Sequence, residues 1–256
     1  MGTDFPSKFR EMLAARDIDM SGLAVEEGKT FRWSGRYREN MNDRDTIETQ
    51  LNVFGSFDPM LPESFRDCPY VFLANGVPAI QLKTLAAMRA RPRLVAADTM
   101  DLWIRTASRD LAEVLAKIDV LTINDGEARM LSGKMSLPEA ASAILAMGPR
   151  MVIVKKGEHG VTAAWRDGRF FVLPAYPTAS VVDPTGAGDS FAGAMMGYLA
   201  RTGDLSPDNM RRAVAHGAVV ASFAVEGFSV ERLASITRKD IEERYRAMVE
   251  MTRIPD

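Results

Sequence analysis

Short apolar runs alternate along this chain with stretches of helical spacing, and that order predicts the class of fold. The runs at 70–73, 94–97, 120–123 and 151–155 are rich in Val, Leu and Ile, as strands buried on both faces are. Between them, 80–89, 111–116 and 138–147 carry apolar positions three and four apart, which predicts helices. Strand and helix in alternation predict an α/β fold with a mainly parallel sheet covered by helices. Ligands of such sheets gather at the carboxyl ends of the strands. Asn75, Asp98 and Asn124 each follow an apolar run there. The stretch 160–172, with Asp167-Gly168 at its middle, predicts a hairpin.

The segment 30–37 breaks the alternation. It sets Phe31, Trp33 and Tyr37 on one face of a strand and Arg32, Ser34 and Arg36 on the other. A second strand is expected around 50–54, after the polar stretch Asn40-Met41-Asn42-Asp43-Arg44-Asp45. Near the start, Phe9, Met12 and Leu13 predict a short helix, and further on Phe191, Met195, Tyr198 and Leu199 predict a longer one. Met210, Val214, Ala218, Ala221 and Val225 recur at helical spacing up to Glu226-Gly227-Phe228. Gly217, Ala218, Ala221 and Ser222 make a face of small residues that admits either a flat base or a tightly packed neighbouring element.

Composition narrows the class without choosing a function. A chain of 256 residues, 46% apolar and 26% charged, can bury one large core. A formal charge of −2 makes no electrostatic case for nucleic acid or a membrane surface. The single Cys68 rules out an internal disulfide framework and suits a reducing, cytoplasmic setting. No stretch approaches the roughly 18 apolar residues of a membrane span. His159 and His216 lie far apart and, with one Cys, provide no zinc spacing. No Gly-x-Ser-x-Gly elbow supports a serine triad.

Chemistry concentrates in Val182-Asp183-Pro184-Thr185-Gly186-Ala187-Gly188-Asp189-Ser190-Phe191-Ala192-Gly193. Pro184 disfavours helix at Asp183 and ends an expected strand at Val181-Val182, while Gly186 and Gly188 let backbone N–H groups converge at a helix N-terminus. Such a terminus attracts anions. Asp189 falls in the first turn beside it, where the helix dipole favours the ionised form, so it can take a proton while the N–H groups hold phosphoryl charge. A bare glycine turn with a capping Asp would look similar over fewer residues. Two other stretches carry candidates. Asn124-x-x-Glu127 follows a strand and is also an ordinary capping arrangement. The strand at 151–155 runs into Gly157-Glu158-His159-Gly160, where the ammonium of Lys155 or Lys156 can reach a phosphate, or both can be solvated beside a turn. His159 reads as a surface residue.

The run DPTGAGDSFAGA closely resembles the C-terminal signature of the PfkB, or ribokinase-like, family of carbohydrate kinases, with Pro184 where Thr is commoner. The resemblance implies a three-layer α/β/α domain over residues 1–256, with a small β lid within about 28–56. It implies that Asp189 is the catalytic base and that Gly186, Ala187 and Gly188 line the anion hole. Asn124-x-x-Glu127 is similar to the family's NxxE motif, which implies that Glu127 helps hold Mg²⁺ through water, with Asn124 beside the cofactor. Gly157 and Gly160, with Lys155 and Lys156, would contact the nucleotide phosphates, and Ala218 and Ser222 would border the adenine. Asn42 in the lid, with Asn75 and Asp98 at the strand ends, would face the acceptor. ATP and Mg²⁺ are the implied cofactors, with a monovalent cation as an open addition, and the lid implies a homodimer.

Gly2-Thr3-Asp4-Phe5 and Asp17-Ile18-Asp19-Met20-Ser21-Gly22-Leu23 resemble the GxDxxG…GID stretch, which lies well inside typical members. The resemblance therefore implies a first strand, the start of the lid and a Gly-Gly dipeptide with a neighbouring Asp upstream of Met1. Two functions follow: a kinase acting on a hydroxyl of a sugar, sugar acid or nucleoside, or a catalytically silent protein that binds a nucleotide or a sugar. Asp189 together with the NxxE-like pair favours the kinase.

Overall fold

The computed structural model describes residues 1–42 and 44–255, and the chain divides into two compact units. Met1–Cys68 and Val77–Pro92 form the first, and Pro69–Gly76 and Arg93–Asp256 the second.

The first unit holds α1 (Ser7–Ala14), the antiparallel strands β1 (Arg32–Tyr37) and β2 (Arg44–Gln50), and, after β3 of the second unit (Tyr70–Leu73), α2 (Pro78–Ala86). The register steps from Ser34 opposite Glu48 to Gly35 opposite Thr46, which leaves Ile47 as a bulged, exposed residue. Gly35 is bare because the Trp33 indole lies across it: a Cβ there would come within 2.3 Å of the ring. Arg44 stacks 5.6 Å over the same ring, and Trp33 Nε1 donates to Thr46 Oγ1 at 3.3 Å.

The second strand therefore lies earlier than the expected 50–54. Asn52, at φ 48°, turns the chain into a 3₁₀ segment, and its Nδ2 donates to the Thr30 carbonyl at 2.8 Å. Phe54 meets Phe31 edge-on at 6.0 Å, so the apolar residues after Gln50 serve packing rather than a ladder. Polar β2 pairs with β1 with most of its residues exposed. Asn42 is exposed in the turn before β2, its N–H donating to Asn40 Oδ1 at 3.2 Å, and Asp43 lies outside the described residues.

The second unit continues from β3 with β4 (Leu94–Asp98), α3 (Asp101–Thr106), α4 (Ser108–Leu115), β5 (Val120–Asn124), α5 (Asp125–Ser132), α6 (Leu137–Ala146), β6 (Met151–Lys155), β7 (Val161–Trp165) and β8 (Phe170–Leu173). Four helices follow: α7 (Ala187–Thr202), α8 (Pro207–Ala224), α9 (Glu231–Ser235) and α10 (Arg238–Thr252). The sheet order is β3-β4-β5-β6-β7-β8, parallel from β3 to β6 and antiparallel beyond. The expected hairpin is β7–β8. Helix α3 went unread in the sequence because six residues are too few to show a period.

Side-chain parity divides the core. Leu94, Ala96, Val120, Met151 and Ile153 face Phe191, Met195 and Leu199 of α7 and Val214 and Phe223 of α8 in one buried cluster. The alternate residues Val95, Leu121, Ile123, Val152 and Val154 are equally buried on the opposite face, the side of α5 and α6 with Ala128 and Ile144. Each fully buried large side chain contributes about 2 kcal/mol of transfer free energy. Both faces being covered, the strands read as continuous apolar runs.

Val181-Val182 is not a strand. It is an irregular, exposed approach to α7, and the N–H groups of Val182 and Asp183 donate to the Val225 carbonyl at 2.7 and 3.3 Å. Pro184 and Gly186 turn the chain there before a ladder can begin.

Candidate active site

Parity and register assemble the site at the carboxyl ends of β4, β5 and β6. Asp98 pairs with Thr122, and Asn124 with Lys155, so all four lie on the α7 side of the sheet. Lys155 extends across β5, and its Nζ donates to Asp98 Oδ2 at 3.0 Å. Asp98 is buried, and its Oδ1 accepts the N–H of Thr99 at 2.8 Å.

Helix α7 begins above this pair. Gly186 caps it at φ 80°, a conformation that L side chains rarely adopt. The three residues expected to line an anion hole, Gly186, Ala187 and Gly188, open this helix, and their N–H groups differ in what they meet. The Ala187 N–H turns back to the Pro184 carbonyl at 3.1 Å, because the tight turn places that acceptor beneath it. Among the described residues, the N–H groups of Gly186, Gly188 and Asp189 have no protein acceptor. A Cβ on Gly188 would lie 2.9 Å from Lys155 Nζ, so the lysine head rests against this first turn.

Asp189 is the third residue of α7, and its side chain reaches solvent. Crowding by the surrounding protein raises its pKa above the ordinary carboxylate value, the charge of Asp98 raises it further, and Lys155 lowers it. The dipole alone predicts a favoured carboxylate; desolvation and Asp98 outweigh it here. A base with a raised pKa binds a proton more tightly and is the better acceptor.

Asn124 and Glu127 form a closed capping box. Asn124 Oδ1 accepts the Glu127 N–H at 2.8 Å, and Glu127 Oε2 accepts the Asn124 N–H at 3.1 Å. Glu127 is buried at the start of α5. Among the described residues no group of three or more His, Cys, Asp or Glu could cage a metal.

The remaining candidates have local partners. Lys156 lies past the end of β6, its N–H bonded to the Gly160 carbonyl at 2.8 Å, so Lys155 is the lysine brought to α7. Gly157 opens a 3₁₀ turn, and Gly160 takes φ 78° with its Cα against β8, where a Cβ would meet the Leu173 carbonyl at 2.1 Å. His159 is exposed in that turn. Asn75 accepts from Trp103 Nε1 at 3.0 Å and is thereby tied to α3.

On α8, Ala218 is half-buried against the core, and Gly217 meets the Phe191 carbonyl of α7 so closely that a Cβ would sit 2.8 Å away. Ser222 is buried, donating to the Val219 carbonyl at 2.6 Å and accepting from Arg244 at 3.0 Å. Arg244 of α10 also pairs with Glu226 at 2.8 Å and covers the Phe223 ring at 3.4 Å. The sequence carries no local signal for Arg244, because its partners come from an earlier helix. No described helix is long and apolar enough to cross a membrane.

Comparison with known proteins bears on the family and the fold. A family model described as pfkB family carbohydrate kinase matches residues 1–234. A cytidine kinase of Thermococcus kodakarensis is 29% identical over 204 residues, 78% of this chain and 72% of that enzyme. A ribokinase of Staphylococcus aureus is 30% identical over 119 residues, 44% of this chain and 37% of that enzyme. The fold matches an Escherichia coli protein described as a ribokinase II, in complex with ATP and Mg²⁺, at a TM-score of 0.77 and 22% identity, over 96% of this chain and 81% of that one.

Proposed function

The chain belongs to the pfkB family of carbohydrate kinases, and from that premise we propose that it moves the γ-phosphoryl group of ATP to a hydroxyl of a sugar, sugar acid or nucleoside, with Asp189 as the base. The observation that carries this reading is the setting of Asp189. A carboxylate of raised proton affinity stands in the first turn of α7, beside N–H groups that have no acceptor among the described residues and within the field of the Lys155 ammonium. Asp189 takes the proton of the acceptor hydroxyl, and the N–H groups of Gly186, Gly188 and Asp189 hold the charge that develops on the phosphoryl oxygens. Lys155 adds a fixed positive charge beside them.

The buried carboxylate of Glu127, outside any cage of further ligands among the described residues, fits Mg²⁺, which keeps several waters and is bound by few carboxylates together with phosphates. Glu127 and Asn124 would hold it from the start of α5. When bound, the ion neutralises phosphate charge. The cytidine kinase and ribokinase relatives support a ribose-containing acceptor class. Pairing of two copies through the β1–β2 sheet is part of the same proposal, supported by the exposed Phe31 and Ile47.

Release of ADP, measured across a panel of sugars, sugar acids and nucleosides, tests the reading. Turnover with at least one acceptor, abolished by EDTA, is expected. ATP binding without transfer to any acceptor would replace it with the silent nucleotide-binding reading.

A further inference from the structure

Asp98 stands at the end of β4 without reaching solvent, its carboxylate oriented by the Thr99 N–H through one oxygen and engaged by Lys155 through the other. The two residues are 57 positions apart in sequence and two strands apart in the sheet. Two strand spacings are about 10 Å, a gap that the pair closes only with the lysine chain stretched across β5. Thr122 lies on the crossing strand opposite Asp98 and is wholly buried. At the far end of this stretch, Nζ and Cε lie 2.9 and 3.9 Å from where a Gly188 side chain would begin.

One ammonium thus touches both a buried carboxylate and the first turn of α7. A surface lysine samples many rotamers, and this one is held. The pair also bears on Asp189, whose proton affinity is raised mainly by desolvation, further by Asp98, and lowered by Lys155.

We propose that Asp98 is a positioning residue for phosphoryl transfer: its carboxylate holds the Lys155 ammonium at the α7 cradle, where that ammonium meets the phosphate chain of ATP. The inference rests on the phosphotransferase reading and deepens it, since Asp98 then acts through Lys155 and not by touching the acceptor.

The test is a double-mutant cycle on ATP affinity, measured by calorimetry with Mg²⁺, alongside turnover and the acceptor KM. Lys155→Met should weaken ATP about tenfold and Asp98→Asn about threefold, the loss expected for a charge-assisted contact removed or loosened. The double variant should be no weaker than Lys155→Met alone, and Asp98→Asn should leave the acceptor KM unchanged. Equal weakening by Asp98→Asn in both backgrounds overturns the proposal, as does an effect confined to the acceptor KM.

Lys155→Met strands a buried carboxylate and is the variant most prone to misfold. In that event, removal of Lys155 from Asp98→Asn serves instead: a loss of about threefold supports the proposal, and tenfold or more overturns it. Wild-type protein that binds ATP yet phosphorylates no acceptor defeats the proposed function while the cycle still decides the role of Asp98. Wild-type protein that binds no ATP defeats both.

Discussion

Asn124 and Glu127 hold each other reciprocally, each backbone N–H donating to the other's side chain, at 2.8 Å from Glu127 and 3.1 Å from Asn124. The arrangement satisfies two helix N-terminal groups at once and fixes the Glu127 carboxylate at the carboxyl end of β5. The cap is observed, and under the proposed function the same carboxylate would also hold Mg²⁺. Glu127→Gln keeps an oxygen that can accept the Asn124 N–H, so stability should change by about 0.5 kcal/mol or less. The Mg²⁺ concentration for half-maximal turnover should rise severalfold. A large drop in melting temperature with an unaltered Mg²⁺ curve would assign Glu127 to capping alone.

Asp189→Asn should lower turnover by about 10² or more while ATP affinity stays near that of the wild type. The same substitution should raise the melting temperature at neutral pH. The folded-state pKa of Asp189 lies above its unfolded value of 3.8, so its favourable contribution is present below that value and is lost as pH rises through the folded pKa. Above the folded pKa the carboxylate is ionised where the fold prefers it neutral. A variant both inactive and less stable would contradict this account.

Gly188→Ala tests the contact between α7 and β6. The added methyl meets the flexible end of Lys155 and no backbone atom, so the fold should survive with little change in melting temperature. Displacing the ammonium should cost about tenfold or more in turnover. Unaltered kinetics would show that Lys155 does not work at the cradle.

His216 lies between the rings of Tyr198 and Tyr245, 4.3 Å from each. Its pKa is lowered by burial first and by Arg201, against the opposing pull of Glu242. A depressed histidine contributes stability above its unfolded value of 6.5 and loses it as pH falls through the folded pKa. His216→Phe keeps the stack and removes the titration. Its melting temperature should fall less than that of the wild type between pH 7.5 and pH 5.5; equal falls would show that the histidine plays no part.

How much of this molecule was legible beforehand depends on the range of the forces involved. The strands read at 151–155 and 120–123 and the helices read at 138–147 and through Phe191–Leu199 lie within a residue or a few of β6, β5, α6 and α7, because burial on two faces, or on one helical stripe, imposes its period on neighbouring residues. Strand β2 was not legible, since its exposed residues owe their conformation to hydrogen bonds with β1, and the apolar residues that follow turn away at Asn52.

The glycine turn and Asp189 were likewise local matters, decided by backbone sterics and by the start of a helix. The sequence alone singled out the candidate residues: a carboxylate proposed as base, a glycine turn, a capped carboxylate and two lysines. Tertiary structure decided which of them meet. Lys155 rather than Lys156 reaches α7 because strand parity turns it to that face, and its partner is Asp98 because the register of three parallel strands brings positions 57 residues apart within 3.0 Å. Even the proton affinity of Asp189 was settled at this level. The helix dipole is written in the sequence, whereas the crowding of the Asp189 carboxyl and the charges of Asp98 on β4 and Lys155 on β6 arise only in the folded chain.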